Sequence, residues 1–235
     1  MTSTVKYHTS RHFVDLSSAI SPKLYGTITG CQMRWVPLTS VDEYIIAGGS
    51  SMNSLGYKAH VWCSGYTASY GRSPRPHRIH SVRGPLSQKR IKNHMNVDAP
   101  CAGDPLLLVS DLYDLLDEKP APCVFTQKKS TKYMSEARHV CIDDSLETIL
   151  TAVKNSTFVL TDLFEGLIFA DSFKVPSCFV SGGSIPFVVK DYLENFDKSD
   201  QGVVNNFPDK LSVSCSAKRD VGFLRNKLLK TIPSL

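Results

Sequence analysis

Residues 77–94 (HRIHSVRGPLSQKRIKNH) concentrate side chains that can bind an anion. The segment holds five Lys or Arg and three His, and it contains no carboxylate. Arg83 is followed by Gly84-Pro85, and because proline fits the first turn of a helix, a helix is predicted to begin directly after the arginine. Free N–H groups at a helix N-terminus attract an anion, and a guanidinium can bind phosphate or carboxylate with two hydrogen bonds. We therefore predict that Arg83 and the backbone of Gly84 bind a small dianion.

The alternative to an anion site is an ordinary basic helix, and Lys89, Arg90 and Lys92 are interpreted as its exposed face. The charge of the chain is nevertheless uneven: residues 1–97 hold twelve Lys or Arg and three acids, whereas residues 98–235 hold fifteen and nineteen. This asymmetry predicts that the first part faces nucleic acid, acidic lipid or a small phosphorylated substrate. Nucleic acid is not expected, because the basic residues do not alternate with aromatic ones and no nucleic-acid-binding motif occurs.

Further candidate residues follow predicted strands. Gly48 and Gly49 end one apolar strand, and Gly65 follows the next. A residue without a side chain lets the backbone approach a ligand closely. The pattern is not specific by itself, because it differs from the GxGxxG fingerprint of dinucleotide sites.

Residues 161–166 (TDLFEG) place two carboxylates between a predicted strand and a predicted helix. Asp162 is interpreted as the N-cap of that helix. Glu165 falls in its first turn, where it could stabilise the helix dipole or act as an acid or a base. The residues alone leave these alternatives open.

Apolar strands alternate with helices along the chain, which predicts an α/β fold with parallel sheets covered on both faces. The predicted strands are 44–47, 60–63, 79–82, 123–125, 139–142, 157–160 and 175–180. The predicted helices are 85–95, 145–154 with Ser145 as cap, 163–173 and 218–232, and residues 195–208 are predicted to be loop.

The basic and acidic parts of the chain meet near residues 96–104, where we predict a domain junction. Residues 1–97 would form a basic Rossmann-like domain and residues 98–215 a second one, followed by a C-terminal helix in residues 216–235. Ligands of doubly wound folds bind at the carboxyl ends of the strands, so the predicted site is a cleft between the two domains.

The cysteines and the apolar segments bear on the compartment. Seven cysteines, an odd number, lie mostly in apolar strand-like runs without a CxxC pair, which indicates free thiols in a reducing cytoplasm. Their spacing does not suit zinc, and no metal is expected. No apolar run is long enough to cross a membrane, and the first residues do not form a secretory signal.

Several of these segments, taken in order over about residues 6–195, resemble the polysaccharide pyruvyl transferases. Members of this family transfer pyruvate from phosphoenolpyruvate to cell-surface glycans as a ketal. The most specific segment is 81–87 (SVRGPLS), which is similar to the family's Val-Arg-Gly-Pro box. The others are 11–15 (RHFVD), 44–52 (YIIAGGSSM), 61–65 (VWCSG), 102–108 (AGDPLLL), 160–170 (LTDLFEGLIFA) with Val175-Pro176, and 190–192 (KDY).

The resemblance implies an architecture, a donor and a role for each candidate residue. It implies two Rossmann-like domains arranged as in GT-B glycosyltransferases, with the last helix packed back on the first domain. It also implies phosphoenolpyruvate as donor substrate without a cofactor, and a glycan or lipid-linked saccharide as acceptor. Glu165 would be the general acid, and Asp15 would be the base or a ligand of the acceptor hydroxyl. The donor and acceptor would contact Arg83, Gly84, Gly48, Gly49, Gly65, Lys190 and His12. Exopolysaccharide biosynthesis in the cytoplasm would follow, with peripheral contact at the inner face of the membrane as an extension.

Several positions depart from the family pattern. The family's His before Gly is Glu165, an Arg two places earlier is Leu163, the N-terminal Asn and Gly are His12 and Val14, and a Pro-His step is Thr126-Gln127. A carboxylic acid can replace the His as proton donor if burial raises its pKa. The alternatives are a GT-B-like glycosyltransferase that uses a nucleotide sugar, and a catalytically impaired relative that binds a glycan or another anion.

Overall fold

The computed structural model describes residues 3–7, 16–37, 40–71, 75–128, 136–207 and 217–234. Within these residues the chain is mixed α/β, with two five-stranded parallel sheets and seven α-helices. Two compact units are present: unit 1 comprises Met1–Leu108, Pro186–Asn195 and Gly222–Leu235, and unit 2 comprises Val109–Ile185 and Phe196–Val221. The two predicted Rossmann-like domains therefore correspond to two parallel-sheet units.

Unit 1 is built on a sheet with the strand order β2-β1-β3-β4-β5. Its strands are β1 (Thr4–Tyr7), β2 (Gln32–Trp35), β3 (Tyr44–Ala47), β4 (Ala59–Ser64) and β5 (Arg78–Val82). Its helices are α1 (Leu16–Thr29), α2 (Pro85–Met95), α6 (Phe187–Leu193) and α7 (Gly222–Lys230), with 3-10 turns at Ser51–Asn53 and Pro105–Leu108. Every residue of β3 and β4 is buried, as expected for central strands covered on both faces.

Unit 2 has the strand order β10-β9-β8-β6-β7. Its strands are β6 (Ala121–Thr126), β7 (Arg138–Cys141), β8 (Ser156–Thr161), β9 (Ser177–Val180) and β10 (Val203–Val204). Its helices are α3 (Val109–Leu112), α4 (Leu146–Lys154) and α5 (Phe164–Ser172), with a 3-10 turn at Lys198–Asp200. Counted from the first strand of each unit, both sheets have the order 2-1-3-4-5, a common doubly wound arrangement.

The two helices with clear end signals were predicted correctly. Helix α2 covers Pro85–Met95 with Pro85 in its first turn, as predicted. Helix α4 begins after Ser145, whose hydroxyl accepts a hydrogen bond from the Thr148 N–H at 3.1 Å. Both ends were therefore encoded locally, by a proline in one helix and by a capping serine in the other.

Six elements were not predicted from the sequence: β1, α1, β2, α3, α6 and β10. Helix α1 contains Pro22 and lacks a clear apolar stripe, and β2 is an edge strand with exposed polar residues. The prediction that residues 195–208 are entirely loop was wrong, because β10 pairs there with β9. A two-residue strand leaves no periodicity to detect.

The limits of the two units differ from the predicted junction at residues 97 and 98. Unit 1 continues to Leu108 and also takes in two later stretches, one of which holds α7. Helix α7 and the residues after it contact β4 and α1 of the same unit. The Trp62 indole N–H donates to the Leu228 carbonyl at 3.3 Å, and the Tyr25 hydroxyl donates to the Pro233 carbonyl at 2.8 Å. No helix in the described part of the chain is long and apolar enough to cross a membrane.

Candidate functional site

The guanidinium of Arg83 joins the carboxyl ends of three neighbouring strands of unit 1. Arg83 directly follows β5 and is fully buried. Its Nη1 donates to the Gly49 carbonyl at 3.0 Å and to the Ser50 hydroxyl at 3.1 Å, both after β3. Its Nη2 donates to the Tyr66 carbonyl, after β4, at 3.1 Å. A single side chain therefore fixes the edge of the sheet at which doubly wound folds bind ligands.

The carboxylate of Asp191, on α6, lies at the N-terminus of α2. Oδ1 accepts a hydrogen bond from the Ser87 N–H at 2.9 Å, and Oδ2 accepts one from the Ser87 hydroxyl at 2.6 Å. The Arg83 Nε lies 3.6 Å from Oδ2, and both side chains of this ion pair are fully buried. Burial raises the pKa of Asp191, whereas Arg83 and Ser87 act in the opposite direction. We call Gly49, Tyr66, Arg83, Ser87 and Asp191 the Arg83 corner.

The Arg83 corner contains an anion at the position where the sequence predicted one, and this anion belongs to the protein itself. The predicted features are present, namely a buried arginine and a helix N-terminus directly after it. The structure places a carboxylate of the chain itself, that of Asp191, at this position. A bound dianion here stays a prediction, and in this conformation it would have to displace Asp191.

The predicted glycines lie at close approaches between parts of the chain. A Cβ added to Gly65 would overlap the Arg83 guanidinium, and one added to Gly84 would overlap the Asp191 backbone carbonyl. Gly48 and Gly49 have φ angles of 62° and 64°, which favour glycine. These glycines therefore make room for neighbouring protein atoms. From the sequence we predicted instead that they make room for a ligand.

A hydrogen-bonded relay connects the end of β3 to the segment after α2. The Gly49 N–H donates to the Ser17 hydroxyl at 2.9 Å, and this hydroxyl donates to Asp104 Oδ1 at 2.6 Å. The same oxygen accepts a hydrogen bond from the Leu106 N–H at 3.1 Å. Ser17 and Asp104 are both fully buried and were not predicted as site residues. The strand order reverses between β1 and β3, so this relay lies where ligands of such sheets usually bind.

Arg90 was wrongly predicted to be an exposed residue of α2. It is 6% exposed, and its guanidinium lies 3.8 Å from the centre of the Tyr66 ring. Its Nη2 donates to the Gly71 carbonyl at 2.7 Å, and its Nη1 donates to the Ala68 carbonyl. Arg90 thus holds the segment after β4 against the helix, whereas Lys89 is exposed as predicted.

The two carboxylates of residues 161–166 have different environments in unit 2. The N-cap of α5 is Leu163, so the prediction of Asp162 as the cap was wrong. Asp162 Oδ1 instead accepts a hydrogen bond from the Gln127 N–H at 3.2 Å, between the ends of β6 and β8, and burial raises its pKa. Glu165 is 5% exposed in the first turn of α5. Its role as a general acid stays a prediction.

The remaining predicted site residues are not part of the Arg83 corner. Lys190 is exposed on α6, next in sequence to Asp191. His12 and Asp15 lie outside the described residues. A signal for Asp191 was present in the sequence, because it is an acidic residue in the otherwise largely apolar stretch FVVKDYL, where a buried carboxylate needs a partner.

A second group of titratable side chains lies at the amino ends of the strands of unit 1. Glu43 precedes β3, His60 is the second residue of β4, His77 precedes β5 and His80 is within β5. Burial lowers the pKa of His60, and burial together with the nearby charges of His60 and Arg78 lowers the pKa of His80 to about 4. The sequence did not point to this group, because its members have no motif-like spacing.

The fold and these sites define the class of the protein. It is an α/β protein with two doubly wound parallel sheets, and one of them has a buried arginine–carboxylate pair at its strand ends. Comparison of the chain with family models, with curated proteins and with solved structures gives no match.

Proposed function

We propose that the protein is a divergent polysaccharide pyruvyl transferase. It would move the enolpyruvyl carbon of phosphoenolpyruvate to two hydroxyls of a sugar in a cell-surface glycan or its precursor. The observation that carries the proposal is the convergence of sequence segments at one edge of unit 1. Residues of five segments that resemble the family's boxes lie in or beside the Arg83 corner: 44–52, 61–65, 81–87, 102–108 and 190–192.

The contacts among these segments are direct. The Gly103 N–H donates to the Arg83 carbonyl at 3.1 Å, and the Gly65 N–H donates to the Gly49 carbonyl at 3.0 Å. Asp191 reaches α2 through Ser87, as described above. Segments that are far apart in sequence thus form one connected group at the edge of the sheet where doubly wound folds bind ligands.

Ketal formation sets the requirements for the site. Two sugar oxygens bond to C2 of phosphoenolpyruvate, the methylene carbon gains a proton to become a methyl group, and phosphate leaves. Of the two protons lost by the sugar hydroxyls, one balances the methyl group and one the phosphate. Glu165 would supply the proton to the methylene carbon and Asp15 would accept one from a hydroxyl. Stabilisation of the charged donor would be the main contribution of the protein.

Arg83 has a positioning role in this proposal. Its donors hold the ends of β3 and β4 and its charge faces Asp191, so it keeps α6 against the sheet edge. Lys190 is the next residue on α6 and is exposed, so we expect it to contact the phosphate of the donor. From the sequence, the predicted contact of this phosphate was instead Arg83.

The finer architecture belongs to the same proposal. A GT-B arrangement of the two units is part of this proposal, because it is the architecture that the family resemblance implies. The acceptor would be a glycan or a lipid-linked saccharide, met in the cytoplasm or at the inner face of the membrane. A GT-B-like glycosyltransferase with a nucleotide sugar as donor is the competing enzyme.

Thermal unfolding with different donors tests the proposal. A ligand at 100 times its dissociation constant stabilises the folded state by about 2.7 kcal/mol. Phosphoenolpyruvate should raise the unfolding temperatures of the wild type and of Lys89→Ala, which is the control at an exposed position. It should raise the unfolding temperature of Lys190→Ala much less. Stabilisation by UDP-sugars and not by phosphoenolpyruvate would support the glycosyltransferase and exclude pyruvyl transfer.

A second candidate function, an anion- or glycan-binding relative without catalysis, is favoured by one observation. Asp191 already occupies the helix N-terminus at which a donor phosphate was expected. In that case a glycan would stabilise the protein, but no phosphate would be released from phosphoenolpyruvate with any saccharide. Phosphate release that requires both a saccharide and Glu165, measured against Glu165→Gln, would establish the transferase instead.

A further inference from the structure

We propose that Glu43, His60 and His77 form a binding site for Zn²⁺ in unit 1. These residues lie at the amino ends of β3, β4 and β5, whereas the Arg83 corner lies at the carboxyl ends of the same strands. The zinc proposal does not depend on pyruvyl transfer, because the two sites share no residue.

Two distances among the ligand atoms are close to those that a tetrahedral metal requires. Glu43 Oε2 lies 3.1 Å from His60 Nε2, and Glu43 Oε1 lies 3.5 Å from His77 Nε2. One ligand atom from each residue lies within 4.8 Å of the others. Zinc bonds of about 2.0–2.1 Å at tetrahedral angles place ligand atoms about 3.3 Å apart. Small side-chain rotations of the two exposed residues, Glu43 and His77, are therefore enough to close the site around an ion.

The donor set and its support both suit zinc. Two imidazoles and one carboxylate form a ligand combination that zinc uses in proteins. His60 is 6% exposed, and its second ring nitrogen, Nδ1, lies 3.1 Å from His80 Nε2. A metal-binding His is usually held in this way, with one nitrogen toward the metal and the other hydrogen-bonded to a fixed partner. His80 thus orients the one buried ligand.

Three protein ligands leave a fourth position for water or an anion. His77 also lines a cleft of about 280 Å³, together with Arg75, Pro76, Arg78, Ile79, Met95 and Val97. The two arginines give this cleft a positive charge. An ion held by His77 would therefore be accessible from a cleft that attracts anions, as in zinc sites with an open position.

The same side chains could also form a simple hydrogen-bonded group in which Glu43 accepts from two histidines. The two interpretations differ in affinity for the metal. Binding of Zn²⁺ alone to the 235-residue chain is measured against a chromophoric chelator under reducing conditions. One equivalent should bind, and Glu43→Gln and His77→Ala should each raise the dissociation constant at least tenfold. Both positions are exposed, so both variants should fold, which circular dichroism checks.

His94→Ala is the matched control, because His94 is exposed on α2 and outside the group. Its zinc affinity should equal that of the wild type. Equal affinity in Glu43→Gln, His77→Ala and the wild type, or no binding by the wild type, would overturn the proposal.

The seven cysteines are a competing set of zinc ligands. Co²⁺ distinguishes the two sets, because thiolate ligands give an intense charge-transfer band in the ultraviolet and imidazole and carboxylate ligands do not. We expect tetrahedral cobalt bands in the visible region without the thiolate band, and their loss in His77→Ala. A thiolate band at one equivalent of cobalt would assign the metal to cysteine and overturn the proposal.

Discussion

The two units share a strand order and each contains a buried arginine–aspartate pair, but the pairs are built differently. In unit 2, the Arg219 Nε lies 3.0 Å and 2.8 Å from the two carboxylate oxygens of Asp171, and the two side chains are almost fully buried. In unit 1, the Arg83 Nε lies 3.6 Å from Asp191, and the Nη atoms bind backbone carbonyls and a hydroxyl. Arg219 and Asp171 form a close ion pair, whereas the Arg83 guanidinium donates hydrogen bonds to residues that follow β3 and β4.

This difference indicates two uses of the same residue pair. Arg219 also donates to the Gln201 carbonyl at 3.1 Å and to the Ser177 hydroxyl, so it fastens the segment before α7 to α5 and β9. Arg83 instead fixes the positions of loops at the edge where a ligand would bind. We expect the pair in unit 2 to act mainly on stability and the pair in unit 1 to act on stability and on the geometry of the Arg83 corner.

Replacement of Arg219 by Met should give the largest loss of stability. It leaves the carboxylate of Asp171 buried without a cation, which costs about 3–5 kcal/mol. Both tryptophans, Trp35 and Trp62, lie in unit 1, so fluorescence reports that unit and far-UV circular dichroism reports both. The unfolding transition followed by circular dichroism should broaden or split, because unit 2 should unfold at a lower urea concentration. The midpoint followed by tryptophan fluorescence, which reports unit 1, should stay unchanged.

Lys154→Ala is the control for Arg219→Met, because Lys154 forms a more exposed ion pair with Asp117 in the same unit at 2.9 Å. Its loss should cost about 0–1 kcal/mol. If the fluorescence midpoint of Arg219→Met moved as far as the dichroism midpoint, the effect would not be confined to unit 2.

Gly65→Ala should come next and should act on unit 1. The added methyl group overlaps the Arg83 guanidinium, and overpacking of this kind costs about 1–3 kcal/mol. The urea midpoint by tryptophan fluorescence measures the loss. Gly30→Ala provides the comparison, because Gly30 has a φ of 70° and no atom would lie within 4 Å of its Cβ. A larger loss at Gly30 than at Gly65 would show that the Arg83 corner tolerates a shift of the guanidinium.

Ser87→Ala should have a smaller effect on unit 1. It removes the hydroxyl that donates to Asp191 at 2.6 Å but keeps the backbone donor, so we expect a loss of about 1–2 kcal/mol. Lys89→Ala, on the exposed face of the same helix, should stay within about 0.5 kcal/mol of the wild type. Equal fluorescence midpoints for the two variants would mean that the Asp191 carboxylate does not depend on Ser87.

The cysteines should differ in their rates of alkylation, and this prediction involves no change in the stability of the protein. Hydrogen bonds with Ser3 and Thr29 lower the pKa of Cys31, whereas burial raises the pKa of Cys101 to about 11 and that of Cys123, in unit 2, to about 12. Since the thiolate reacts, Cys31 should be modified before Cys101 and Cys123 by iodoacetamide at pH 8. The rate at Cys101 should rise with pH up to about 11, beyond the pH at which that of Cys31 levels off. Peptide mass spectrometry resolves each site, and faster modification of Cys101 than of Cys31 at pH 8 would contradict this order.

Local signals determined how much of the fold the sequence could predict. Helices α2 and α4 were found with correct ends because Pro85 and Ser145 mark their first turns. Helix α6 was missed because seven residues are too few to show a helical period, and α1 because Pro22 and several serines interrupt its apolar face. Parallel pairing of the seven predicted strands was expected from their apolar character.

The candidate site was predictable only in part. Arg83 and the start of α2 indicated an anion, and the apolar surroundings of Asp191 indicated a carboxylate that needs a partner. Local patterns could not pair these two residues, because they are more than a hundred positions apart. The group formed by Glu43, His60 and His77 depends on strand register, with Ile45 beside His60 and His60 beside Arg78. Register of parallel strands follows from packing of the whole sheet, which spacing along the chain does not reveal.

The discontinuity of unit 1 has a consequence for synthesis on the ribosome. The first 108 residues supply all five strands of its sheet, but Asp191 and the helix that contacts Trp62 are translated only after most of unit 2. Until then the nascent chain holds Arg83 without its carboxylate and leaves the surface covered by α7 open to other chains. Unit 2, although later in sequence, can therefore be complete before unit 1, whose apolar surface beneath α7 stays uncovered until that helix is made.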